Sequence, residues 1–169
     1  MTNPAQTVKV AAGFERHLLP RVWGWIEPHR EKLMGDHDPQ SVQEFMASWD
    51  HPNILANSFT VKVDGELGGV VRFSAVRRGI AEAVAFFPRY TFRQNVLQQG
   101  LAEALRSYFA ANADLRKVEW RGMLDQSAQV VGALRPIGGR KEATVEHGAL
   151  QGGRWVKVVQ VGILREAVI

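Results

Sequence analysis

A strand that runs directly into a helix constrains the fold of this chain more than any other feature. Residues 80–110 begin with an apolar run that Glu82 alone interrupts, and Pro88 ends that run. After a polar turn, apolar side chains recur at helical spacing as far as Phe109. A strand this apolar is buried on both faces of a sheet, so the helix that follows has to pack back onto that sheet. The start of such a helix is a common place for an anionic cofactor, because its first N–H groups have no partner within the helix.

Two helical segments precede this unit. Their apolar stripes consist of Phe14, Leu18, Val22, Trp23, Ile26 and Leu33, and then of Val42, Phe45, Met46 and Trp49. Pro20 predicts the start of the first main helix, and Asp38-Pro39 has the pattern that begins the second. The cluster of Trp23, Trp25 and Trp49 indicates a core, with an aromatic substrate wall as the alternative.

From Ser58 onwards the apolar period changes to two, which is the period of a strand. Asp64-Gly65 is a strong hairpin turn between two such strands. In the second strand, Gly68-Gly69 predicts a bulge or a close approach of another group to the backbone. Arg77-Arg78-Gly79 then turns the chain into the buried strand, which gives an antiparallel meander followed by a strand–helix crossover.

Three elements follow the crossover helix. They are a strand from Val118 to Met123, a short helix from Ser127 to Leu134, and a long hairpin from Glu142 to Leu164 that turns at Gln151-Gly152-Gly153. We therefore predict one α+β domain over residues 1–169 with a mixed sheet and the order α-α-β-β-β-α-β-α-β-β.

Composition excludes several classes of site and partner. Because the 169 residues include no cysteine, disulfides, thiolate metal sites and a cysteine nucleophile are ruled out. The five histidines lack metal-ligand spacing, so we expect no metal. The first residues lack the apolar core of a signal peptide, and no apolar run reaches the roughly 20 residues that cross a bilayer. We expect a soluble, cytoplasmic protein.

The basic balance of the chain suits an anionic partner, either nucleic acid or a phosphorylated cofactor. The net charge is +4 and the sequence pI is about 9.8. However, the basic residues are dispersed, and no aromatic-basic motif of the kind that reads bases is present. We therefore interpret the charge as a solvated surface and expect no nucleic-acid partner.

The element order resembles that of the GNAT N-acyltransferase superfamily, closest to the branch that acetylates ribosomal proteins and other protein N-termini. Four stretches carry the resemblance. The family's second and third strands are matched by VKVDGELGGVVRFSAV, and its fourth strand by AEAVAFFP. Its fifth strand with the following helix is matched by LRKVEWRGMLDQSAQVVGAL, and its closing hairpin by GGRKEATVEHGALQGGRWVKVVQVGILRE. The resemblance implies a mostly antiparallel central sheet flanked by helices. It also implies acetyl transfer from acetyl-CoA to an amine, with a protein N-terminus as one acceptor.

The resemblance also implies which residues hold acetyl-CoA. Phe86 and Phe87 belong to the fourth strand and its end, and Arg89, Arg93 and Gln94 to the turn after it. Asp125 occupies the position at which the family often has a pantetheine-binding Asn. The family's pyrophosphate-binding motif, R/Q-x-x-G-x-G/A, is degenerate, because its glycine positions fall on Gln94 and Val96. Thr91-Phe92-Arg93-Gln94 instead matches a capping box, which leaves fewer amides for a pyrophosphate. Arg89 and Arg93 attract an anion as side chains, or form a solvated turn. We expect weak acetyl-CoA binding.

Direct acyl transfer needs a base for the substrate amine and an acid for the leaving thiolate. Glu82 is the predicted base, because it is alone in an apolar strand and burial raises the proton affinity of a carboxylate. The alternative is a structural ion pair with a residue such as Arg72 or Arg78. The family's acid is a tyrosine on the helix after the fifth strand, which this chain lacks. Ser127 is the nearest hydroxyl there, although it also suits the helix cap.

Two functions follow from these residues. The leading prediction is an N-acyltransferase that uses acetyl-CoA. The alternative is a catalytically inactive protein of the same fold that acts as a binding or structural module, which the missing glycine loop and the missing tyrosine favour.

Overall fold

Seven strands form one sheet in the part of the chain that the computed structural model describes, which is residues 6–88, 94–123 and 130–169. The strands are β1 (Val8–Ala12), β2 (Ser58–Val63), β3 (Glu66–Arg77), β4 (Ile80–Phe86), β5 (Lys117–Met123), β6 (Arg140–Gln151) and β7 (Arg154–Leu164). Their order across the sheet is β1-β2-β3-β4-β5-β7-β6, and every neighbouring pair is antiparallel except β4 and β5. The predicted meander, crossover and closing hairpin are confirmed in this mixed, mostly antiparallel sheet.

Helices lie on both faces of the sheet. They are α1 (Leu19–Ile26), α2 (Arg30–Leu33), α3 (Val42–Ala47), α4 (Pro52–Ala56) and α5 (Gln94–Ala111), and residues 130–134 are also helical. One core lies between the sheet and α5, where Phe59, Phe73, Leu101, Leu105 and Phe109 are buried. The other core lies on the opposite face, where Leu19, Trp23, Phe45, Trp49 and Val70 are buried. The prediction that Trp23 and Trp49 belong to a core is confirmed.

The predicted element order lacked the first strand. Residues Val8–Ala12 pair antiparallel with β2 at the edge of the sheet, with Val8 opposite Val63. This strand is only five residues long, and its alternation is weak because two alanines end it. Its conformation therefore depends on pairing with β2 rather than on its own pattern.

The first helical segment is interrupted, and the predicted start of the second was wrong, both for local reasons. The first helical segment breaks at Glu27–His29, where Pro28 has no N–H for a continuing helix, and it ends at Leu33. The second helix does not begin at Asp38-Pro39, because Ser41 is its N-cap and accepts a hydrogen bond from the Glu44 amide at 3.2 Å. The Asp38 carboxylate instead accepts from the Gly35 amide at 2.7 Å.

Both predictions for Gly68-Gly69 are confirmed. The register between β2 and β3 shifts by one residue here, since Val61 faces Gly69 and Lys62 faces Leu67. Gly68 is therefore the extra residue of a bulge. A side chain at Gly69 would overlap the ring of Phe87, so the glycine gives that ring its place beside the sheet.

Candidate functional site

A cleft opens where β4 and β5 separate. These two parallel strands pair only from Ile80 to Ala83 on β4 and from Lys117 to Trp120 on β5, although both continue for three residues beyond those pairs. Residues 84–86 still pair with β3 on their other side. No described strand pairs with them on the side of β5. Within the described part of the chain, this edge therefore offers backbone donors and acceptors to an extended ligand.

A cavity of about 330 Å³ occupies this region and reaches both faces of the sheet. Its apolar wall includes Trp25, Ile26, Leu33, Met34, Phe45, Trp49, Val84, Phe86, Phe87, Leu97, Trp120 and Val130. Its charged lining residues, among those the structure describes, are Asp38, Arg72, Glu82 and Arg121. A mostly apolar cavity with a few convergent charges is typical of a small-molecule site.

Glu82 lies in the lining of this cavity, at the last part of β4 that still pairs with β5. Its side chain is half-buried, and it forms no ion pair with a described Lys, Arg or His. The Glu82 carboxylate does interact with Arg72 at longer range, where its negative charge favours the charged form of the arginine. The alternative in which Glu82 forms a structural ion pair with Arg72 or Arg78 is therefore not what the described contacts show.

Arg72 shares the sheet face with Glu82 and is the second charged group of the cavity. It stands opposite Val84 on β4, while Glu82 stands opposite Ser74 on β3, so the two are diagonal neighbours. The guanidinium carbon lies 5.0 Å from the ring centroid of Trp49. Its Nε is buried and has no hydrogen-bond partner among the described residues. Burial lowers the pKa of Arg72, and the negative charge of Glu82 opposes that effect.

Glu119, the register partner of Glu82 on β5, has a different environment. It is only 2% exposed, and three cations approach its carboxylate: Lys117 at 3.1 Å, Arg121 at 3.5 Å and Arg77 at 3.6 Å. Burial disfavours the charge of Lys117, but the carboxylates of Glu142 and Glu119 outweigh it and raise the pKa of this lysine. Glu119 is thus the structural carboxylate, although the sequence had not distinguished it.

The predicted site residues fall into two groups. Glu82, Phe86 and Phe87 all line the cavity, so the structure brings these three together. Arg89, Arg93, Asp125 and Ser127, together with Thr91 of the capping box and the side chain of Gln94, lie outside the described residues. Their assignments therefore stay predictions.

Val96 stands at one of the two glycine positions of the degenerate motif, at the start of α5. The side chain of Val96 is only 3% exposed, so it packs into the interior rather than standing at the surface of the helix start. The Val96 amide donates a hydrogen bond to Oδ1 of the Asn95 side chain at 3.0 Å. One of the first amides of the helix is therefore occupied by a neighbouring side chain.

The loop between α2 and α3 closes one side of the cavity. Met34, Asp38 and Pro39 belong to the lining, and the loop is tied to the tip of the β6–β7 hairpin. The Asp36 carboxylate accepts hydrogen bonds from the amides of Gly152 and Gly153 at 2.6 and 2.8 Å. These two hydrogen bonds lower the pKa of Asp36, and the one from Gly153 has the larger effect.

Sequence reasoning missed the role of Arg72 as a cavity residue. One signal was present, since Arg72 is a single charged residue inside the apolar run of β3, just as Glu82 is in β4. The tie between Asp36 and the hairpin tip had no such signal, because it joins residues that are far apart in the chain.

Two further features were searched for in the described part of the chain. None of its helices is both long and apolar enough to cross a membrane. Within residues 6–88, 94–123 and 130–169, no group of three or more His, Asp or Glu side chains is placed to hold a metal ion.

No protein-family model matches the chain, and no curated protein matches it in sequence. Solved structures do match it over nearly its whole length. The spermidine N-acetyltransferase from Vibrio cholerae, in complex with CoA and spermine, gives a TM-score of 0.74 at 16% identity and covers 98% of this chain and 99% of its own. The ribosomal L7/L12 alpha-N-protein acetyltransferase RimL, in complex with CoA, gives 0.73 at 15% identity, with 95% and 96% covered.

The ribosomal-protein-alanine N-acetyltransferase from Brucella melitensis gives a TM-score of 0.70 at 11% identity, with 94% of this chain and 99% of its own covered. At these identities the likeness establishes the fold. The chain has the fold of the GNAT N-acetyltransferases, and structures of ribosomal-protein acetyltransferases are among those it resembles, as the sequence predicted.

Proposed function

We propose that this protein is an N-acyltransferase that transfers the acyl group of an acyl-CoA, with acetyl-CoA as the expected donor, to a primary amine. The observation that carries the proposal is the Glu82 carboxylate, half-buried in the cavity where β4 and β5 separate and without an ion-pair partner among the described residues.

The cleft suits the pantetheine arm of acyl-CoA. Residues 84–86 present an edge without a described strand on the side of β5, and an amide-containing arm hydrogen-bonds to such an edge as an added strand does. Phe86 and Phe87 supply apolar surface beside it. When bound, acyl-CoA supplies an acyl group activated as a thioester, so that transfer forms a C–N bond, breaks the C–S bond and releases CoA as a thiol.

Glu82 supplies the base in this proposal. The amine has to lose a proton as it attacks, and a carboxylate within hydrogen-bond reach accepts that proton. Lys117, Arg77 and Arg121 form ion pairs with Glu119, whereas no described cation lies within ion-pair distance of Glu82. Arg72 places a positive charge near Glu82 without forming an ion pair with it.

One observation favours the second candidate, a module that does not catalyse transfer. The Val96 amide at the start of α5 is occupied by Asn95, which leaves fewer donors for a pyrophosphate. Under the first function this contact weakens the affinity for acyl-CoA without abolishing transfer.

The release of free CoA tests the proposal directly. A thiol reagent detects CoA without background from the protein, since the chain has no cysteine. We expect acceptor-dependent release from acetyl-CoA, and we expect acetyl-CoA to raise the melting temperature, because a ligand at about 100 times its Kd stabilises by roughly 2.7 kcal/mol. Stabilisation without release would favour the module, and absence of both responses at millimolar acetyl-CoA would contradict the acyltransferase and leave the module as the remaining candidate.

A further inference from the structure

The acceptor half of the cavity carries a balanced pair of charges in an apolar setting. On the α1–α3 side of the sheet, Arg72 and Glu82 project from the same face as diagonal neighbours on β3 and β4. Such positions are about 7–8 Å apart along the sheet. A ligand that joins them has to carry an anion and a cation close together.

We propose that the acceptor is an apolar α-amino acid, whose carboxylate binds Arg72 and whose amine lies at Glu82. This inference rests on the proposed function and names the substrate class of the same site. An α-amino acid has its amine and its carboxylate on one carbon atom, so it fits the short span between the two side chains.

The surroundings of the Arg72 guanidinium suit the binding of a carboxylate. Trp49 covers one face of it, with the guanidinium carbon 5.0 Å from the ring centroid, and the buried Nε of Arg72 has no hydrogen-bond partner among the described residues. The fork of N–H groups along the edge of a guanidinium matches a planar carboxylate. A buried polar group without a partner costs stability, which a ligand carboxylate would offset.

The remaining lining determines what the rest of the acceptor is. Beside Arg72 and Glu82 the wall is apolar, with Trp25, Leu33, Met34 and Phe86 at its partly buried positions. A side chain such as that of phenylalanine or leucine buries its surface there.

The charge balance argues against a polyamine. Among the described lining residues, the two acids Asp38 and Glu82 are matched by the two arginines Arg72 and Arg121. The Asp38 carboxylate also accepts the Gly35 amide. A chain of several ammonium groups needs an excess of carboxylates, whereas a zwitterion needs one charge of each sign.

The test compares four acceptors with acetyl-CoA: L-phenylalanine, L-phenylalaninamide, 2-phenylethylamine and spermidine. We expect kcat/KM to be highest for L-phenylalanine and about 10- to 100-fold lower for the amide, as the loss of a charge-assisted hydrogen bond predicts. In Arg72→Met that preference for the acid over the amide should disappear, and Arg72→Lys should restore part of it. Because the preference is a ratio measured on one preparation, a loss of folded protein does not imitate it.

The outcomes separate this inference from the proposed function. Transfer to spermidine, to 2-phenylethylamine or to the amide at least as fast as to L-phenylalanine overturns the inference and leaves the proposed function intact. Faster transfer to the N-terminus of a peptide such as Phe-Ala-Ala overturns it in favour of a protein acceptor. If no acceptor is acetylated, the proposed function fails, and calorimetric titration of L-phenylalanine and its amide decides the inference. Tighter binding of the acid, abolished in Arg72→Met, supports the inference, and equal or absent binding overturns it.

Discussion

Glu82 and Glu119 stand opposite each other on the parallel strands β4 and β5, yet the described cations surround only Glu119. Their side chains project from the same face of the sheet, so the same chemical group occupies two environments one strand apart. Because of this difference, we assign a structural role to Glu119 and propose that Glu82 is the catalytic base.

The two glutamates form a matched pair for a stability measurement. Glu119→Gln removes the charge that Lys117, Arg77 and Arg121 surround, and we expect it to lower the free energy of unfolding by about 1–3 kcal/mol. Glu82→Gln removes a carboxylate that forms no ion pair with a described cation, and we expect a change within about 0.5 kcal/mol. Urea denaturation of both variants checks the difference, and equal losses would contradict the assignment.

Asp36 predicts a pH dependence at the hairpin tip. Its pKa is lowered in the folded protein by the amides of Gly153 and Gly152. Such a carboxylate stabilises the fold above its ordinary pKa of about 3.9, and the contribution is lost as the pH falls through the folded-state value. We therefore expect the amide proton shifts of Gly152 and Gly153 to titrate below about pH 4. If Asp36→Asn left that titration unchanged, another group would be responsible.

Asn95 predicts a gain of cofactor affinity on mutation. Its side chain occupies the Val96 amide, so Asn95→Ala frees one donor at the start of α5. We expect the Kd for acetyl-CoA to fall about 2- to 10-fold, which is the worth of one hydrogen bond. Gln99→Ala, at an exposed position of the same helix, is the matched control. Calorimetric titration measures both, and an unchanged or weaker affinity for Asn95→Ala would argue against a pyrophosphate at this helix start.

Substitution by alanine should have opposite effects on stability at Gly69 and at Gly24. In Gly69→Ala the new methyl group overlaps the ring of Phe87, so we expect a loss of about 1–3 kcal/mol and a displaced cavity wall. In Gly24→Ala, at an exposed position of α1 where nothing lies within 4 Å, we expect a gain of about 0.5–1 kcal/mol. Melting temperatures check both, and a neutral Gly69→Ala would mean that Phe87 moves without cost.

The parts of the fold that could be predicted from the sequence are those with strong local signals. The buried strand β4, its crossover helix and the two hairpins have long apolar patterns or glycine turns. The strand β1 has neither, and its place depends on β2. Ser41 competed with Asp38 for the start of α3, and the capping geometry that decides between them follows from the tertiary structure.

The candidate site was only partly predictable for the same reason. Glu82 was found because a charge in an apolar strand is a local signal. Arg72 gave the same signal, but its role in the cavity depends on Trp49, which packs against it from the turn after α3. The separation of β4 from β5, which makes the cavity, is a property of the sheet and has no signal in either strand alone.

The most direct test of this account measures CoA release and acetyl-CoA binding for Glu82→Gln beside the unmodified protein. If Glu82 is the base, the variant keeps its Kd for acetyl-CoA and its melting temperature, while kcat falls about 10²- to 10⁴-fold. A Glu82→Gln protein that releases CoA as fast as the unmodified protein would contradict the account.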